Sequence, residues 1–263
     1  MGRGRSGRTS SPQPRVQRPQ PRVQEPQPQQ QEQQRRRTPQ EWMTYFNTAD
    51  DAQARAALNE WRRERMDADN RSNDTDVQRF FHNIGWSENT PEVLDERQYQ
   101  AAVRAAGNPT QLYHADRAAG GVTAQQFAEQ YFGTARDANG TPYRHYVSNG
   151  YYGGGTYFAE KARDSAFYGN NQFRGFLNNK ARVVDYRTLN RQYNDYAARH
   201  PSFERMVGRM KAGYGGREEK LSVFAAMQGY NVIRRNNYYV ILDRSATTVS
   251  SRTRNTGMIR GNW

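Results

Sequence analysis

Residues 150–169 read GYYGGGTYFAEKARDSAFYG. Three consecutive glycines, Gly153 to Gly155, open onto Tyr157-Phe158-Ala159, and Ser165 and Tyr168 follow as S-x-x-Y. A residue without Cβ lets its backbone come close to another backbone or to a ligand. The flat faces of Tyr157 and Tyr168 suit the two sides of a planar ligand, and equally an aromatic-rich turn. No GK[ST] follows the glycines, so the stretch is not a phosphate loop, and GYGGREEK at 213–220 fails the same test. A G-x-S-x-G nucleophile elbow is absent from the chain.

Working outward, QLYHA at 111–115 follows Asn108-Pro109 and reads as a short strand. TAQQFAEQYFG at 123–133 reads as a helix capped by Thr123, with Phe127 and Tyr131 four apart. ARVVDY at 181–186 is a β-branched strand, and REEKLSVFAAMQG at 217–229 a helix with Leu221, Phe224 and Ala225 inward and Gly229 as its stop. NVIRR and YYVIL form two strands joined by Asn236-Asn237, residues that tolerate positive φ and suit a two-residue hairpin. Toward the N-terminus, Thr38-Pro39-Gln40-Glu41 is a helix start, with Trp42, Phe46, Leu58 and Trp61 at helical spacing and Asp50-Asp51 as a break. DVQRFFHNIGW puts Val77, Phe80, Phe81 and Ile84 on one face ahead of Gly85, and DERQYQAAVRAAG is a further helix with a glycine stop. The class is therefore α+β. Residues 39–108 read as a helical segment, 109–248 as the α+β domain, and 247 onward as a polar, frayed end, with 249–263 as the C-terminal tail.

Composition narrows the chemistry. The 263 residues include no cysteine, which excludes disulfides, thiolate metal sites and cysteine nucleophiles. Four histidines at 82, 114, 145 and 200 have no ligand spacing, so no metal site is expected. No apolar run approaches the ~20 residues of a membrane span, and no signal-peptide core opens the chain. A soluble protein without membrane contact is expected, cytoplasmic in location. The net charge is +13, and residues 1–38 hold nine arginines against two glutamates. That segment, rich in Arg, Gln and Pro and nearly free of apolar residues, reads as a disordered basic tail. Such a tail attracts nucleic acid nonspecifically by counterion release, or serves as a solvated linker.

Taken together, LYHADR and GGGTYFAEKARDSAFY resemble the ADP-ribosyltransferase superfamily in its His-Tyr subclass, of the PARP-like and diphtheria-toxin-like kind, over about residues 110–246. The family pattern is a strand-end His, then G-x-G-x-Y-F-A, then S-x-x-Y on the helix behind it. His114, Tyr157-Phe158-Ala159, Ser165 and Tyr168 match it in order, and ARVVDY looks like the family's central strand. The resemblance implies an ADP-ribosyltransferase-like split β-sandwich that uses NAD as substrate. Its nicotinamide would lie between Tyr157 and Tyr168, with Ser165 on the carboxamide, His114 on the adenosine-side ribose and backbone at Ala115 beside the carboxamide. The implied activity is transfer of a single ADP-ribose to a macromolecular, expectedly protein, acceptor.

Two positions depart from the family pattern. Ala115 stands where the family has Gly, and Tyr238, or Asn237 if the register slips, stands where it has the catalytic Glu at the start of a late strand. The implied catalytic set is thus His114, Tyr157 and Tyr238, with Glu218 and Glu219 as the nearest acidic alternatives. The segments DVQRFFHNIGWSENTPEVLDERQYQ and GYNVIRRNNYYVILDRSA also resemble ADP-ribosyltransferase-like domains of phage head-associated proteins. That likeness implies a virion-associated location if the chain is phage-encoded, and packaged nucleic acid as the partner of residues 1–38. The alternative it leaves open is a catalytically inactive, structural domain.

Overall fold

The strand that carries Tyr157 is the centre of the architecture. The computed structural model describes residues 1, 36–63, 75–116, 148–150, 153–166, 169, 171–213 and 215–255. Its strands are β1 (Glu92–Leu94), β2 (Leu112–Asp116), β3 (Ser148–Gly150), β4 (Gly153–Ala159), β5 (Asn171–Leu177), β6 (Val183–Asp185), β7 (Val232–Arg235), β8 (Tyr238–Ile241), β9 (Thr247–Ser250) and β10 (Arg254–Asn255). Its α-helices are α1 (Pro39–Thr48), α2 (Asp51–Arg63), α3 (Asp76–Asn83), α4 (Glu96–Ala105), α5 (Ala162–Ser165), α6 (Tyr186–Arg199), α7 (Pro201–Arg209) and α8 (Arg217–Met227). The class is α+β with a mixed sheet, in the order β1-β9-β5-β2-β4-β8-β7-β6; β3 pairs with β4 and β10 with β5. The β1–β9 and β6–β7 pairs are parallel. A parallel pair needs a crossover, and between β6 and β7 it is made by α6, α7 and α8.

Local sequence accounts for most helix ends. Thr38, Thr75 and Asp95 each close a capping box with Glu41, Gln78 and Gln98, satisfying otherwise orphaned N–H groups. Gly85, Gly107 and Gly229 take positive φ where α3, α4 and α8 end. Asn236 does the same in the β7–β8 hairpin, with φ 54°.

Alternation along each strand gives the sheet two faces. One face packs against the helices: Val184, Ile233 and Val240 join the core formed by α1, α2, α3, α6, α7 and α8. That core is held by an aromatic chain, with Trp42–Trp61 centroids at 5.3 Å, Trp61–Phe80 at 4.9 Å and Phe46–Phe203 at 5.2 Å. The other face brings Leu112, Phe173 and Val249 of β2, β5 and β9 into one cluster with Val232, Tyr239 and Ile241 of β7 and β8. Phe158 of β4 bridges the two groups, so this second core runs continuously along the sheet. Residues Arg36–Trp263 form one compact unit.

Three expectations change. Val183–Asp185 is the terminal strand of the path and not a central one; the centre is occupied by β5, β2, β4 and β8. The helical segment contains a strand, β1, which joins the sheet. The expected polar, frayed end contains β9, all four residues of which are buried between β1 and β5. The helix expected over 123–133 lies outside the described residues.

Candidate functional site

Register decides which side chains meet. β4 pairs with β8 through Tyr157↔Val240, Phe158↔Tyr239 and Ala159↔Tyr238, and with β2 through Tyr113↔Ala159. β5 sets Gln172 opposite Ala115 and Phe173 opposite His114. Directly paired residues share a face. Ala115, Tyr157, Gln172 and Tyr238 are thus on the helix-bearing face, and His114 is on the other with Phe158 and Phe173. Further along the helix-bearing face, α4 lies over β5 and β9, where Tyr99 meets Phe176 at 5.7 Å and Arg174 pairs with Glu96 at 2.5 Å. The helical core covers it over β8, β7 and β6. Between these two coverings, the stretch over β2 and β4 holds Ala115, Tyr157 and the short helix α5.

His114 is 7 % exposed and lies behind this surface, its ring 5.4 Å from that of Phe158 and 6.4 Å from that of Phe173. Its Nδ1 is 2.6 Å from the Tyr157 carbonyl oxygen. A carbonyl only accepts, so Nδ1 carries the proton and donates it. The ring fastens β2 to β4 at the residue before Phe158, which fixes the backbone that presents Tyr157.

Ser165 closes α5 and is buried. Its hydroxyl donates to the Ala162 carbonyl at 2.9 Å and accepts from the Gln172 amide nitrogen at 2.6 Å. The same amide donates to the Ala162 carbonyl at 2.7 Å. This links Ser165 to Gln172, the cross-strand partner of Ala115. Tyr168 lies outside the described residues.

The glycines serve the sheet itself. A Cβ on Gly155 would stand 2.6 Å from the Ile241 carbonyl oxygen and 2.8 Å from Val240 Cγ1. The Gly154 N–H donates to buried Ser222 of α8 at 2.9 Å. Close backbone approach is therefore made to β8 and α8.

Three carboxylates, Glu160 after β4 and Glu218 and Glu219 on α8, differ in environment. Glu160 is on the far face, accepting from the Tyr239 hydroxyl at 3.0 Å with Arg234 at 3.5 Å. Burial, with this contact to Glu160, holds the Tyr239 phenol above its usual range. Glu219 is fully buried, and its oxygens accept the N–H groups of Gly213 at 2.5 Å and Gly215 at 3.3 Å. Burial outweighs these two bonds and pushes its carboxyl up. Glu218 is on the helix-bearing side, accepts from the Tyr186 hydroxyl at 3.3 Å and lies 3.8 Å from Arg235. Arg235 is the cross-strand partner of Tyr238 and stacks 4.2 Å over the Tyr186 ring. Burial and the neighbouring Glu218 raise the Tyr186 phenol.

Sequence reading missed Gln172, Arg235 and Tyr186. The first is one glutamine in a strand whose opening, NQ, carries no strand signal, and its role depends on partners in the preceding helix α5. Among the described residues, no group of three or more His, Asp or Glu side chains could hold a metal ion, and no helix is long and apolar enough to cross a membrane. No known protein family, curated protein or solved structure matches this chain.

Proposed function

We propose that this chain is an ADP-ribosyltransferase-like protein that binds NAD and transfers single ADP-ribose units to a macromolecular acceptor. The observation that carries the reading is the gathering of Ala115, Tyr157 and Tyr238 on one sheet face, with Ser165 joined to them through Gln172. A mixed sheet with an apolar core on each of its faces supports a split β-sandwich as its fold. In this reading the nicotinamide ring lies against Tyr157, and its carboxamide meets Ser165 and the Ala115 backbone. Tyr168 supplies the second ring. His114 acts by positioning, through the Tyr157 carbonyl.

The reaction breaks the bond between the nicotinamide nitrogen and ribose C1′. Nicotinamide leaves with the bonding pair, and the cationic C1′ takes an electron pair from an acceptor nucleophile that gives up its proton. A negative charge near C1′ stabilises that cation. Tyr238 offers a hydroxyl there and no charge; Glu218, one residue removed through Arg235, is the carboxylate on this side. Residues 1–38 hold nucleic acid in this account, by counterion release from their arginines.

The test is incubation of the purified full chain with NAD labelled in its adenylate half, in the presence of candidate acceptor proteins. Label is expected to transfer to protein, and Glu218→Gln is expected to slow transfer about 10²-fold while NAD affinity stays within a factor of about two. The absence of acid at Tyr238 favours a second reading, NAD binding without turnover. Saturable NAD binding with no nicotinamide release would establish it over the first.

A further inference from the structure

One contact assigned to the carboxamide of a nicotinamide ligand, that to Ser165, is already made by a primary carboxamide of the chain itself. Gln172 is 2 % exposed, sits opposite Ala115 in the β2–β5 pair, and aims its side chain at α5. Its amide nitrogen donates to Ser165 Oγ at 2.6 Å and to the Ala162 carbonyl at 2.7 Å. The network fixes which end of the amide points there. Exchanging oxygen and nitrogen would set the amide oxygen against the Ala162 carbonyl, acceptor against acceptor. Ser165 is committed as well, since its one proton goes to Ala162 and one lone pair is taken by Gln172. A ligand carboxamide arriving at Ser165 therefore meets a hydroxyl with no proton to offer and a neighbour of its own chemical kind in place.

We propose that Gln172 is the resident occupant of the carboxamide position, and that ligands carrying a primary aromatic carboxamide bind by displacing its side chain from Ser165 and Ala162. This rests on the reading of Ser165 as the carboxamide contact. It explains why two acceptors should already be arranged about one amide nitrogen, and it names the ligand class the position selects. Gln172 lowers affinity through competition: its two donated hydrogen bonds must be given up before the ligand can make the equivalent ones.

Calorimetric titration of the full chain with nicotinamide tests this, using wild type, Gln172→Ala and Gln172→Met, with thermal melting to verify folding. Gln172→Ala is expected to bind nicotinamide about 10–100-fold more tightly than wild type, the size of two lost competing hydrogen bonds. Gln172→Met keeps the side chain's length without its donors and is expected to shift affinity the same way; it decides the matter if the alanine variant melts without cooperativity. Equal or weaker binding by folded variants would overturn the proposal and leave the NAD reading standing, since Gln172 would then support Ser165 and not compete with the ligand. Absence of nicotinamide binding by wild type and both variants would overturn the NAD reading together with it.

Discussion

Glu219 carries a carboxylate with no exposed surface, braced against the N–H groups of Gly213 and Gly215. Burial dominates, so its folded-state value is above the ordinary one. Between those two values the folded chain holds a proton that the unfolded chain has released, so this group's contribution to stability falls as pH rises through the window. In Glu219→Gln that slope is gone. Melting temperatures taken from about pH 8 down to about pH 4 should show wild type gaining on the variant as pH falls toward the ordinary carboxylate value, then running parallel below it. Curves parallel throughout would mean that the loop amides offset burial. At this scale the sequence was only partly readable. The Tyr157 and Ser165 pattern stood out because several residue types recur at set spacing. Gln172 and Glu219 act through partners that adjacency does not reveal, one in the short helix before its strand and one across a turn.

Among the elements, β4 depends on a glycine pressed against its neighbour. Alanine at 155 would put Cβ inside contact distance of the Ile241 carbonyl and Val240. Both belong to β8, which cannot yield without moving Tyr238 and Tyr239. Gly155→Ala is therefore expected to destabilise by about 1–3 kcal/mol in chemical denaturation, as overpacking does. A change below about 0.5 kcal/mol would show that β8 gives way freely. Helix starts were legible because capping boxes are local: Thr38 with Glu41, and Asp95 with Gln98. The strands β5 and β9 were not. β5 opens on Asn171-Gln172 and is interrupted by Gly175, while β9 reads TTVS, a polar string. Its hydroxyls find partners inside the fold: Thr247 donates to the Arg244 carbonyl at 2.8 Å, Thr248 to Glu92 at 2.9 Å and Ser250 to Glu96 at 3.1 Å. Burial of those groups is inexpensive only because each is satisfied.

In the whole molecule, β9 ties the N-terminal segment to the sheet. It pairs with β1 from the N-terminal helical segment and with β5 from the sheet's centre, and its Val249 is in the second core. A chain ending at Ala246 loses both pairings and leaves β5 with an open edge, so it is expected to melt without cooperativity or aggregate. Deleting residues 1–35, outside the compact unit, leaves the Arg37 contacts to Trp42 and Glu60 in place and is expected to keep the melting temperature within a few degrees. A cooperative melt near the wild-type temperature for the chain ending at Ala246 would mean that the C-terminal strand is dispensable. The α+β class was legible from the order of elements. The second core that unites β2, β5 and β9 with β7 and β8 was not, because it depends on strand order, which hydrophobic patterns leave open.

The central claim is that Tyr157 is one face of a nicotinamide site. Calorimetric titration of the purified full chain with NAD, wild type beside Tyr157→Ala, tests it most directly. The account predicts saturable one-to-one binding by wild type and an affinity about tenfold lower in the variant, the loss of one stacking surface. No saturable binding by wild type, or superimposable isotherms for the two proteins, would contradict it.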